Sequence, residues 1–179
     1  WAAILGASFA TGIAAYNVGN SLQQALESAT NYCSGRLLDL RHSGRLSSEM
    51  GQERTLLPRL QRAIKLSIEN DPIPPQWERR HVEYTIPESG NSRIDLGVWD
   101  GHAPVVVDYK LKTRLDAKWR AKELDKWRRN WQMFHYSYWY GQDRQQPVER
   151  YIVILTVLEP KFEIIPLDLT TVWLTPEMM

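Results

Sequence analysis

The chain has 179 residues, 24% of them charged and 43% hydrophobic, with a net charge of +1. That is the length and composition of one soluble globular domain with a real core; it excludes a globally basic field, so any nucleic-acid contact has to come from a local patch. The only cysteine, Cys33, excludes a disulfide framework and a four-cysteine iron–sulfur site, and fits a reducing compartment.

Residues 1–18 carry no charge. They are too few and too rich in small residues for a membrane span, and they lack the basic start of a secretory signal. The expectation is a buried helix or an irregular lead-in. Asn20 or Ser21 then caps a helix to about Leu40, with Leu22, Ala25, Leu26, Ala29 and Cys33 at helical spacing and Glu27 beside that stripe. Gly44 breaks a polar, basic stretch. Ser47 or Ser48 caps a second helical region ending near Asn70, with Pro58 either interrupting it or starting a new helix. Its apolar face is Leu56, Leu57, Leu60, Ile64 and Ile68, and His42 is a surface or helix-end residue.

The prolines of Asp71-Pro72-Ile73-Pro74-Pro75 make a linker. Gln76 to Ile86 alternates as a strand, and Pro87 to Gly90 turns into a hairpin. Ser92–Trp99 and Pro104–Leu111 are its strands, with Asp100-Gly101 at the turn. If Asp100 to Ala103 forms the loop, Asp95 lands opposite Asp108, and Lys110 shares the face of Asp108. Facing carboxylates repel unless neutralised, and a divalent cation is the natural partner for their oxygens. The other face, Ile94, Leu96, Val98, Val105, Val107 and Tyr109, is expected to be core. A long helix follows from about Asp116 to Tyr140, rich in aromatic and basic residues, then a surface loop from Gly141 to Pro147. Glu149–Leu158 is a strand buried on both faces, Phe162–Leu167 is a last strand, and the tail from Leu169 has no assigned structure.

Asp95 followed by Asp108-Tyr109-Lys110 on a hairpin resembles the PD-(D/E)XK nuclease superfamily. The wording RIDLGVWD then VVVDYKLK is similar to its RecB-like branch, which includes small phage and CRISPR-associated exonucleases. Gly19, Leu22, Leu26 and Glu27 match a first-helix motif of that branch, although Gln23 stands where the family usually has a metal-ligating His. Gln132 and Tyr136, one helical turn apart, match a Gln-x-x-x-Tyr motif on the helix after Asp-x-Lys, against a plain reading as core packing. Glu83 is either a supporting acid, as in RecB-like proteins, or an exposed strand residue. The resemblance spans most of residues 19–158.

The resemblance implies an α/β, restriction-endonuclease-like core: a mixed sheet of about five strands flanked by helices, as a single domain over 1–179. Its parts are the apolar segment 1–18, a helical part 19–70, strands with the metal site over 76–112, a long helix 116–141 and further strands 149–168. It implies Mg2+ or Mn2+ held by Asp95, Asp108, the Tyr109 carbonyl and Glu27, or by fewer acids if Glu27 is only a solvated helix-face carboxylate. Asp108, Asp95, Lys110, Gln132 and Tyr136 would serve hydrolysis of DNA phosphodiesters. Arg93, Lys112, Arg114, Lys118 and Arg128 would contact the DNA backbone, positioning it without reading sequence. The implied protein is a cytoplasmic exonuclease in DNA processing or repair, in the host cytoplasm if phage-encoded, acting alone, as a homo-oligomer or in a larger complex, and off the membrane. The alternatives are an inactive nuclease-like module that binds DNA or protein, for which Gln23 speaks, and a structure-specific endonuclease.

Overall fold

A computed structural model describes residues 2–44, 50–115, 117–159 and 161–170. In chain order the elements are α1 (Ala2–Asn17), α2 (Leu22–His42), α3 (Met50–Glu69), β1 (Glu78–Thr85), β2 (Arg93–Trp99), β3 (Pro104–Arg114), α4 (Ala117–Arg128), α5 (Trp131–Arg144), β4 (Arg150–Glu159) and β5 (Glu163–Thr170). The strands form one five-stranded sheet in the order β1-β2-β3-β4-β5. β1 with β2 and β2 with β3 are antiparallel hairpin neighbours. β3 reaches β4 through two helices, the long crossover that parallel neighbours need, so the sheet is mixed. The α/β class expected from the sequence is the class observed.

The chain packs as two compact units. The first comprises Trp1–Asp71, Lys110–Arg114 and Thr156–Ile164. Its helices form as their sequences dictate. Ser21, not Asn20, is the cap of α2: its hydroxyl accepts from the Gln24 amide at 3.2 Å, and the Gln24 side chain accepts from the Ser21 amide at 2.8 Å. Gly19 takes φ +95° to close the turn out of α1, a conformation that favours glycine. α1 buries Leu5, Phe9 and Ile13. A Cβ on Gly12 would come within 2.7 Å of Ile64 Cδ1 and 3.1 Å of Ala29 Cβ, so the three helices approach closely through small residues. α3 runs unbroken through Pro58. Burial of Leu56, Leu60, Ala63 and Ile64 outweighs the one backbone bond that proline removes. The proposed caps Ser47 and Ser48 lie outside the described residues. Ser67 and Thr156 share a buried 2.6 Å hydrogen bond, Arg59 pairs with Glu159, and the Arg62 guanidinium sits 4.1 Å from the centre of the Phe162 ring.

The second unit comprises Pro72–Tyr109, Leu115–Leu155 and Ile165–Met179. The expected long helix is two helices. Asn130 adopts an extended backbone (φ −79°, ψ 115°) and its side chain accepts from the Gln132 amide at 2.9 Å, so it caps α5 and ends the run of α4. The expected surface loop is also shorter. α5 continues through Gly141 to Arg144 and stops at Gln145, which takes φ 53°. The hairpin has the expected register: Trp99 faces Pro104 and Leu96 faces Val107. The Asp100 carboxylate accepts from the His102 and Ala103 amides, each at 2.8 Å, and Gly101 supplies φ +100°.

The β1–β2 pairing is irregular: its register shifts between Arg79 and His81. A Cβ on Gly97 would lie 3.3 Å from Ile94 Cδ1, and the His81 and Tyr84 rings are 4.5 Å apart. Residues three apart on a regular strand face opposite ways. These positions are register partners, His81 with Gly97 and Tyr84 with Ile94. Between them on β1, Glu83 takes φ 48°. Ile94, Leu96, Val98, Val105, Val107 and Tyr109 are all buried, as expected of core. Core is not confined to one face: Val106 and Asp108 are as buried as Val105 and Val107.

Candidate active site

The site is built on the neighbouring strands β2 and β3. Register carried one step beyond Leu96 and Val107 sets Asp95 beside Asp108. At that step the Tyr109 amide donates to Asp95 Oδ2 at 2.8 Å, so the Asp95 side chain takes a bond that a backbone carbonyl would take in a regular ladder. Asp108 is 1% exposed, Tyr109 is buried, and Asp95 is half-buried. β4, next to β3 in the sheet, brings up Tyr151, which is fully buried. Burial pushes the Tyr151 hydroxyl well above the ordinary tyrosine range, and the charges of Asp108 and then Asp95 raise it further, with Tyr136 also contributing.

α5 supplies the cover. A Cβ on Gly97 would overlap the Tyr140 hydroxyl and lie 2.6 Å from its Cζ, so glycine is what lets the helix sit against β2. Tyr136 stands one turn before Tyr140 and Gln132 one turn before that, so the three line one stripe of α5. Both Gln132 and Tyr136 are half-buried. Tyr140 sets the end of this stripe against β2 at Gly97. Beyond Tyr140 the contact is a polar network. His81 Nδ1 lies 2.7 Å from the Tyr140 hydroxyl, Tyr84 donates to Asp143 Oδ2 at 2.9 Å, and Arg144 reaches His81 Nε2 at 3.3 Å and the Tyr84 hydroxyl at 3.2 Å. Burial pushes the Tyr140 hydroxyl up to about 12.

The other expected site residues are distributed as follows. Lys110 lies two positions beyond Asp108 on β3 and is half-buried; it belongs to the first unit. Glu27, also in the first unit, lies on an exposed face of α2, where the Gln23 amide donates to its Oε1 at 2.8 Å. Arg93 is exposed and pairs with Glu83 at 2.9 Å, so Glu83 is a partner for a cation rather than a bare strand acid. Lys112 is half-buried and Arg128 exposed on α4. The side chains of Arg114 and Lys118 lie outside the described residues. Tyr151 was missed by sequence reasoning, which saw only a strand buried on both faces. The available signal was a hydroxyl in an otherwise apolar run, since a buried tyrosine oxygen ordinarily needs a partner.

Among the described residues, no group of three or more His, Cys, Asp or Glu comes together to hold a metal. The set present is smaller: the Asp95 and Asp108 carboxylates, with the Tyr109 carbonyl on the same strand. All are hard oxygens. Mg2+ is commonly held by one or two carboxylates together with water and substrate phosphate, so this set fits Mg2+ or Mn2+ without a third acid. No described helix is long and apolar enough to cross a membrane. No family model, curated protein or solved structure matches the chain.

Proposed function

We propose that the protein is a divalent-metal-dependent deoxyribonuclease of RecB-like type, acting as an exonuclease in DNA processing. The observation that carries this reading is the placing of Asp95 beside Asp108 on β2 and β3, with Asp108 buried and the Tyr109 amide donating to Asp95 at 2.8 Å. A bound divalent cation would neutralise charge on the phosphate and make a coordinated water more acidic. Asp95 and Asp108 hold the cation, with the Tyr109 carbonyl beside them. The 2.8 Å bond from the Tyr109 amide fixes the position of the Asp95 carboxylate beside Asp108. Lys110 serves as a fixed cation that orients the attacking water or offsets charge in the transition state. Gln132 hydrogen-bonds the phosphate and Tyr136 lies against the DNA. Burial keeps these groups in a low-dielectric site, where oriented charge acts more strongly than in water.

Asp108→Ala or Lys110→Ala should abolish magnesium- or manganese-dependent degradation of linear DNA while circular dichroism and melting stay close to wild type. Undiminished cleavage by both variants rejects these roles. Open linear, circular and branched DNA compared side by side separates an exonuclease from an endonuclease. A second reading, a nuclease-like module that binds without cutting, is favoured by the Gln23 amide occupying Glu27 on α2. Calorimetric titration with manganese distinguishes the two: absence of binding supports the second.

A further inference from the structure

A cavity of the second unit lies toward the Asp100–Ala103 turn of the hairpin, away from Asp95. It holds about 240 Å³, room for about eight waters or one ring-sized molecule. Val98, Pro104 and Tyr140 give it an apolar lining, and Trp99 stands beside them. Two irregularities of the backbone border it. The first is on β1, an edge strand of the sheet. Arg79 pairs with Val98 and His81 with Gly97, so Arg80 is the extra residue of a bulge. Bulges of this kind re-aim a side chain, and Arg80 lines the cavity. Its guanidinium lies 4.6 Å from the centre of the Trp99 ring, and its Nε and Nη2 donate to Glu78 Oε2 at 2.9 and 2.7 Å. Among the described residues, the Nη1–Nη2 edge of the fork is left for a ligand. A guanidinium stacked and braced in this way has little freedom left to lose, and its fork matches a carboxylate or a phosphate. The second irregularity is Gln145, which ends α5 at φ 53° where glycine or asparagine is the ordinary choice. Beside it, Gln146 Nε2 donates to the His102 carbonyl at 2.9 Å and ties that wall to the hairpin turn. Asp143 and Arg144 also line the cavity, but they pair with each other, and Arg144 donates to the Tyr84 hydroxyl as well. Arg80 is therefore the charge that the cavity offers, and it selects a single negative head group.

We propose that this cavity binds a small molecule with one oxyanion head, a carboxylate or a phosphate, taken by the Arg80 fork. A ring-sized apolar body rests against Val98, Pro104 and Tyr140. The site does not depend on the nuclease reading, because none of its walls is a proposed metal ligand or DNA contact.

The test titrates the protein, in the presence of a chelator, with benzoate, phenyl phosphate, inorganic phosphate and benzylamine. Calorimetry gives affinity, and the side-chain amide signals of Gln145 and Gln146 report the place of binding. Benzoate or phenyl phosphate should bind with a Kd of about 1 mM or tighter and move both amide signals. Tighter binding of phenyl phosphate assigns phosphate as the head group, and tighter binding of benzoate assigns carboxylate. Inorganic phosphate, with no apolar body to bury, should bind about tenfold more weakly than phenyl phosphate. Arg80→Gln should weaken the better probe about 10- to 100-fold and melt near the wild-type temperature, since Arg80 is exposed. Arg80→Lys keeps the charge, loses the fork and should weaken it about tenfold. The site is overturned by no binding of either aromatic anion, by benzylamine binding as tightly as they do, or by wild-type affinity in both Arg80 variants. Binding that leaves both amide signals in place overturns it too. Inorganic phosphate binding as tightly as phenyl phosphate overturns the apolar body and with it the class of ligand.

Discussion

His81 shows how single side chains set the register of the covering helix. Its Nε2 faces the Arg144 guanidinium at 3.3 Å and therefore accepts, which leaves the proton on Nδ1 for the Tyr140 hydroxyl at 2.7 Å. The folded protein thus holds a neutral imidazole. Burial lowers its pKa below 6.5, Arg144 and Arg80 lower it further, and Asp143 opposes them. The unfolded chain binds that proton more readily than the folded one, so stability is present above about pH 6.5 and is lost as pH falls below it. His81→Gln, which keeps a donor and an acceptor, should flatten the dependence of melting temperature on pH between about 7.5 and 5. Differential scanning calorimetry across that range checks it, and an unchanged slope contradicts the assignment. None of this was legible in the sequence, because His81, Tyr140 and Arg144 lie on β1 and α5, about sixty positions apart, and no local spacing links them.

At the scale of elements, the important event is the break between α4 and α5. Periodicity alone carries through Arg129 and Asn130, because aromatic residues recur at helical spacing on both sides. The cap decides otherwise: Asn130 turns its backbone extended and accepts from the Gln132 amide. Without the break, the Gln132–Tyr136–Tyr140 stripe would continue the axis of α4 instead of starting its own. Asn130→Ala should cost about 1 kcal/mol of stability, and Asn130→Asp should recover it. Hydrogen exchange at the Gln132 amide, faster in the alanine variant and near wild type in the aspartate variant, is the check. α2 presents the opposite case. Ser21 and Gln24 form a capping box that the sequence displays outright, and that helix begins at the expected residue.

For the molecule as a whole, the proposed nuclease has a net charge of only +1, which would leave any DNA affinity to few contacts. Of the expected DNA contacts, Arg93 is engaged with Glu83, and on α4 Lys126 pairs with Glu123 and Arg129 with Asp125. The Lys122 ammonium lies 4.4 Å from the centre of the Trp119 ring. Arg128 is exposed on the same helix. Arg128→Ala should weaken DNA binding equally for unrelated sequences and reduce the salt slope of log affinity by about one. Fluorescence anisotropy over a salt series measures this. An unchanged slope removes Arg128 from the interface, and a sequence-dependent loss removes its role as a backbone contact.

What the sequence determined by itself was what local physics controls. The hairpin register followed from Asp100-Gly101, because a tight turn and a two-residue alternation fix which residues face one another across it. The order of helices and strands and the neighbourhood of Asp95 and Asp108 came with it. Only the tertiary structure decided that Glu83 takes a positive φ, how α5 lies on Gly97, and that Tyr151 is fully buried with, among the described residues, no partner for its hydroxyl. Those outcomes depend on contacts between residues far apart in the chain. A residue's burial and partners are set by what the other elements bring to it, and no window of sequence contains that information.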